Sequence, residues 1–235
     1  MSGHIVASFD EELGAIDRLI LEMGDLAQEM VSSATKSLLD NDVALAQRVI
    51  SNDLSMDDKQ RQIDERAITL IAKRQPMAQD LRAVVGAIRM ASDLERIGDL
   101  AKNISKRVHA VGSGTMQRKL SHSIDTMAGL VRAQLAGVID NYVGRNAEAL
   151  VTLRADDEKI DVHYTAVFRE LLTYMMEDPR NITPCTHLLF CAKNLERIGD
   201  HATNIAENAY YMMVGKQLPV HRPKIDETSI AGDPR

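Results

Sequence analysis

Asp93-Leu-Glu-Arg-Ile-Gly-Asp99 returns later in the chain as Asn194-Leu-Glu-Arg-Ile-Gly-Asp200, with six residues identical and a constant offset of 101. The echo runs on, since Leu100-Ala-Lys-Asn-Ile104 becomes His201-Ala-Thr-Asn-Ile205. In each copy a Glu and an Asp stand four residues apart, Glu95 with Asp99 and Glu196 with Asp200, in a segment whose apolar spacing predicts helix. Four residues is about one helical turn, so both carboxylates of a copy fall on one face. Two acids so placed repel each other by about a few tenths of a kcal/mol on a solvated helix, and by more when partly buried. A cation is the simplest thing that offsets this cost.

Outward from the first copy, the chain reads as six helices and no strand. An apolar stripe from Leu13 through Ile16, Ile20, Ala27, Met30 and Ala34 to Leu38 predicts a helix from about Phe9 to Leu39. Asn41-Asp42 signals a turn and an N-cap. The second helix ends near Gln75, because Pro76 disfavours the helical region for the residue before it and suits the first turn of the next helix. The third is expected from Pro76 to about Val111, closed by Gly112-Ser-Gly114. The second half repeats the plan: Thr115 to Asn141, a turn at Gly144-Arg-Asn146, Ala147 to Met176, a connection bracketed by Asp178-Pro179 and Pro184, and a last helix to about Val214. The reading is all-α, with three helices in residues 1–112, three in 113–215, and a disordered Pro-containing tail over 216–235.

The second and fifth helices align without a gap at an offset of 104. Asp53 then falls on Asp157 and Asp57 on Asp161, so each half has an Asp-x-x-x-Asp on its second helix and a Glu-x-x-x-Asp on its third. Consecutive helices with a short connection lie antiparallel and adjacent, which would bring four carboxylates together in each half. Such hard oxygen ligands suit Mg, Ca, Mn or iron rather than structural zinc. One such pair by itself reads as a solvated face with weak ion pairs; four in a twofold repeat favour a cation site. Arg96 and Arg197 point sideways from the acids, toward a neighbouring helix or a partner protein. Gly98 and Gly199 sit inside helices, where Gly costs about 1 kcal/mol against Ala, so a close approach of another helix or a ligand is expected there. His201 follows Asp200 and is a weaker candidate ligand, since its counterpart is Leu100.

Composition narrows the function classes. A net charge of −6 argues against a general nucleic-acid binder. No apolar run reaches about 18 residues, and the first residues show no secretory signal. Cys185 and Cys191, six residues apart, would lie roughly 9 Å apart on a helix, too far to bridge, and read as reduced core thiols of a cytosolic protein. There is no Walker-type loop, no His-Glu-x-x-His, no Gly-x-Ser-x-Gly and no Glu-x-x-His pattern of di-iron enzymes. A binding protein is favoured over the alternative, a carboxylate-bridged metalloenzyme.

The doubled Leu-Glu-Arg-Ile-Gly-Asp motif with its Ala-x-Asn-Ile extension, together with Pro76-Met-Ala-Gln-Asp-Leu-Arg82, resembles the PhoU family of phosphate-specific transport regulators over residues 5–215. The resemblance implies two three-helix bundles related by pseudo-twofold symmetry, with metal clusters in some members. Its implied ligands are Asp53, Asp57, Glu95 and Asp99 in the first half and Asp157, Asp161, Glu196 and Asp200 in the second. Asn103 and Asn204, four residues beyond the last acid, extend that face as weaker ligands, and Asp93, a further candidate residue of the metal face, stands opposite Asn194 and makes the halves unequal. The implied cofactor is a divalent or trivalent ion, with Mg, Mn, Fe and Zn as candidates. The implied role is a cytoplasmic, non-enzymatic negative regulator. It would link the ATPase subunit of a phosphate ABC transporter to a sensor histidine kinase, and so meet the membrane only through partners. Homodimers are common in the family.

Overall fold

A computed structural model of the chain describes residues 2–112, 115–155 and 157–218, with side-chain surroundings from Phe9 onward except at 113–121 and 155–156. The described residues form α1 (Ser2–Asp40), α2 (Val43–Arg74), α3 (Gln79–Ser105), α4 (Val108–Val111), α5 (Thr115–Val143), α6 (Ala147–Ala155), α7 (Asp157–Glu177), a 3-10 turn (Pro179–Asn181) and α8 (Ile182–Val214). No strand occurs among them. The six expected helices are present, with α3 and α4 together taking the place of the third and α6 and α7 that of the fifth. The expected tail lies outside the described residues from Pro219 onward.

Local chemistry sets most boundaries. Asp42 caps α2 by accepting from the Leu45 N–H at 2.9 Å. Asn146 accepts from the Ala149 N–H at 3.2 Å and starts α6 in the same way. Gly112, at φ 67°, ends α4, and Gly215, at φ 75°, ends α8. Four expected boundaries need correction. The first helix starts at Ser2, well before Phe9. The third starts at Gln79 rather than Pro76, because Gln75 and Ala78 both take φ 48° and hold the intervening residues out of the helix. It also stops at Ser105, and a turn at Lys106-Arg107 separates it from α4. Pro184 does not belong to the connection but lies in the first turn of α8, where its missing N–H has no intrahelical partner to lose.

α1, α2 and α3 pack on one another, while α5, α6 and α7 gather around α8. The two signature helices, α3 and α8, then make the most extensive helix–helix contact in the molecule, and α1 also meets α5. Leu94, Ile97 and Ile104 of α3 therefore share one continuous apolar core with Leu195, Ile198 and Ile205 of α8. Tyr142 of α5 donates to Asp17 Oδ1 of α1 at 2.6 Å across the same junction. Burial and the adjacent Asp17 carboxylate push that phenol well above its ordinary range. Cys185 and Cys191 are buried free thiols of α8.

The glycines of the signatures lie at the helix contacts. A Cβ on Gly98 would come 3.2 Å from Met56 Cγ, with Met30 Cε at 3.6 Å. A Cβ on Gly199 would come 2.9 Å from Ile160 Cδ1 and 3.3 Å from Gln134 Oε1. Met56 and Ile160 are counterparts at the 104-residue offset, as are Met30 and Gln134, so the same close approach occurs in both halves. Helix packing, rather than a ligand, explains both glycines.

Candidate functional site

The carboxylates of α2 and α3 meet as the repeat predicts. Burial pushes the Glu95 carboxyl up, Arg96 beside it opposes the rise, and the charges of Asp99, Asp57 and Asp53 add to it. The charge that answers this repulsion is Lys102. Its Nζ, one turn beyond Asp99, donates to Asp99 Oδ1 at 2.7 Å and to Asp53 Oδ2 on the neighbouring helix. Burial alone would lower the pKa of this ammonium, but the hydrogen bonds to both carboxylates outweigh it and hold Lys102 above the ordinary lysine range. Arg96 is exposed and leans on the same face, 3.5 Å from Glu95 Oε2 and 3.4 Å from Asp99 Oδ2.

The second face is built differently. Asp157, Asp161 and Glu196 are only 2%, 5% and 5% exposed, and Asp200 is half-buried. The counterpart of Lys102 is Thr203, which donates through its hydroxyl to Asp157 Oδ1 at 3.1 Å. Gln134 Nε2 donates to Thr203 Oγ1 at 2.9 Å and lies 3.4 Å from Asp157 Oδ1. A lysine enters from another position, with Lys193 Nζ donating to Glu196 Oε1 at 2.8 Å while lying 4.8 Å from the centre of the Tyr164 ring. Gln134 Oε1 is buried with no hydrogen bond, beside Gly199. Arg197 is exposed.

Four expected members stand elsewhere. Asp93 is not on the acidic face but on the α3–α8 seam, where its Oδ1 receives His201 Nδ1 at 2.9 Å and Asn204 Nδ2 at 3.4 Å. Its Oδ2 receives Asn208 Nδ2 at 3.4 Å. Asn204 and His201 are thus drawn into a contact between the halves rather than toward Asp200. Asn103 points to solvent. Lys102, Thr203, Gln134 and Lys193 were missed from the sequence. The signal for the first two was present in the aligned echo, where a lysine faces a threonine.

Whether these faces suit a metal differs between them. Among the described residues, no three His, Cys, Asp or Glu side chains converge as a ready cage. In the first face an ammonium is already seated between the α2 and α3 acids, and the residues do not fit a metal ion. In the second face Lys193 holds Glu196 Oε1, but a neutral Thr203 stands where the first face has its lysine, the remaining ligand atoms are hard carboxylate and amide oxygens, and Gln134 Oε1 lacks a hydrogen-bond donor. That set fits Mg, Mn or iron, with Asp157, Asp161, Glu196 and Asp200 as the residues that would hold it.

These features define a class of tandem helical bundles carrying a doubled Glu-x-x-x-Asp motif on two helices that pack together. A family model described as the PhoU domain matches residues 20–108 and again 124–209, one signature in each segment, and the chain belongs to the PhoU family. It is 58% identical over 229 residues to a phosphate-specific transport system accessory protein PhoU homolog of Rhizobium meliloti (strain 1021), covering 97% of each chain. A protein of the same name from Caulobacter vibrioides (strain NA1000 / CB15N) is 45% identical, covering 97% of this chain and all of its own, 100%. The crystal structure of PhoU from Pseudomonas aeruginosa superposes with a TM-score of 0.82 at 33% identity, over 88% of this chain and 100% of that one. The PhoU crystal structure from Streptococcus pneumoniae gives 0.81 at 28% identity, over 90% and 100%. Among the described residues no helix is long and apolar enough to cross a membrane.

Proposed function

We propose that this chain is a negative regulator of phosphate uptake and of phosphate-starvation signalling. It works in the cytoplasm, without catalysis, between the ATPase subunit of a phosphate ABC transporter and a sensor histidine kinase. The observation that carries this reading is similarity to proteins named as accessory to phosphate-specific transport along nearly the whole of both chains. The physical requirement is one body offering separate surfaces to two partners. The continuous core across the α3–α8 contact supports that requirement, because it joins the two halves through buried apolar area rather than through a linker. No Gly-rich phosphate cradle is present in the sequence, and an acidic face repels a free phosphate, so phosphate status reaches this protein through the transporter. A divalent ion held by the second face, and a homodimer, belong to the same proposal.

The test is a pull-down from cytoplasmic and solubilised membrane fractions, comparing wild type with a Glu95→Gln/Glu196→Gln double variant. Recovery of a transporter ATPase or a histidine kinase by wild type is expected, and its loss in the variant would assign the acids to partner control. Recovery of neither partner, in phosphate-rich and phosphate-poor cells alike, would overturn the relay and return the carboxylate-bridged metalloenzyme.

A further inference from the structure

We infer that Lys102 is the resident cation of the first acidic face and that this face takes no metal ion while the lysine is present. The two faces, although built from aligned acids, are then chemically unequal. The inference concerns the chain's own residues and stands or falls independently of the relay.

The argument is geometric. Asp53 lies on α2 and Asp99 on α3, and the Lys102 ammonium donates to both, at 2.7 Å in the case of Asp99. It thus performs the bridging that a hard cation would perform between the same two helices. Arg96, spanning Glu95 and Asp99, adds a second positive charge to a patch of four carboxylates. A dication entering the face would have to break both Lys102 ion pairs and leave an ammonium beside a like charge in a site where Asp53 is only 7% exposed. In the second face the equivalent position is Thr203, a neutral hydroxyl bonded to Asp157, and the ammonium comes instead from Lys193, which donates to Glu196 Oε1 on its own helix at 2.8 Å. The chain itself therefore shows that Thr is tolerated at this place in the repeat.

The experiment is a manganese titration of the full-length, metal-free protein, following bound Mn²⁺ by calorimetry and electron paramagnetic resonance. Lys102→Thr, which copies the second repeat, is expected to bind one more Mn²⁺ per chain than wild type, and adding Asp53→Asn/Asp99→Asn to it is expected to remove that ion. In a background where Asp157→Asn/Glu196→Gln disables the second face, the protein with Lys102 is expected to bind none. Equal stoichiometry in wild type and Lys102→Thr, with native helicity by circular dichroism, would overturn the inference. So would Mn²⁺ binding by the Asp157→Asn/Glu196→Gln protein that disappears on Asp53→Asn/Asp99→Asn. Should Lys102→Thr be unstable without metal, rescue of its unfolding midpoint by micromolar Mn²⁺ supports the inference. Failure of Mn²⁺ to rescue it, with magnesium and manganese both tried, counts against it.

Discussion

The two acidic faces share a pattern and differ in how they are neutralised. In the first, Glu95 and Asp99 keep side-chain exposures of 16% and 29%, and a lysine from the signature helix itself bridges to α2. In the second, the acids of α7 and Glu196 are almost wholly buried and are met by a hydroxyl, an amide and a lysine from earlier in α8. Duplication thus preserved the acids and the glycine contacts while the counter-charge moved. Concentrated carboxylates must be answered by something, but the repeat does not dictate by what.

Replacing Lys102 with Met should have the largest effect. It strips one ammonium from two carboxylates, one of them buried, and is expected to cost about 2–3 kcal/mol, somewhat below the range for breaking a fully buried pair. Urea unfolding checks this through a lower midpoint at unchanged slope. A loss within about 0.5 kcal/mol, the range of an ordinary surface substitution, would mean that the first face is merely a solvated helix surface.

The glycines sharpen the comparison at a smaller scale. Gly199→Ala places a methyl 2.9 Å from Ile160 Cδ1, a branched buried side chain, and overpacking of about 2 kcal/mol should exceed the roughly 1 kcal/mol gained in helix propensity. Gly98→Ala meets the flexible Met56 at 3.2 Å, so the two terms should nearly cancel, within about 0.5 kcal/mol. Thermal unfolding of the pair in parallel measures the difference directly. A larger loss at Gly98 would reverse the assignment of the tighter half.

Glu95→Gln should give the smallest effect, and its sign is diagnostic. The folded Glu95 pKa is raised, so the ionised carboxylate costs stability at neutral pH, and that cost is relieved as pH falls through the folded value toward the ordinary 4.5. The variant should therefore unfold at slightly higher temperature near pH 7, with an advantage that shrinks on acidification. Destabilisation at pH 7 in metal-free buffer would show that Glu95 is held by a favourable partner instead.

Much of this was legible in the sequence, for identifiable reasons. The doubled motif and the aligned Asp pairs specify helices, their register and which carboxylates face each other, because side-chain position on a helix follows from spacing. Asp93 was assigned to the acidic face against that same rule. Two residues before Glu95, it lies roughly 200° around the helix and meets α8, where its Oδ1 accepts from His201 Nδ1. Lys102 stood opposite Thr203 in the aligned echo, but a single lysine one turn from an acid reads as an ordinary surface pair until α2 brings Asp53 alongside. The interruption at Lys106-Arg107 carries no Gly or Pro, and the positive φ of Ala78 no Gly or Asn, so neither boundary had a local signal.

The most direct test is an anomalous difference map from crystals of the full-length protein equilibrated with manganese. The account predicts the Lys102 ammonium between Asp53 and Asp99, with no manganese peak among Asp53, Asp57, Glu95 and Asp99. A manganese ion at that position, with Lys102 turned out to solvent, would contradict it.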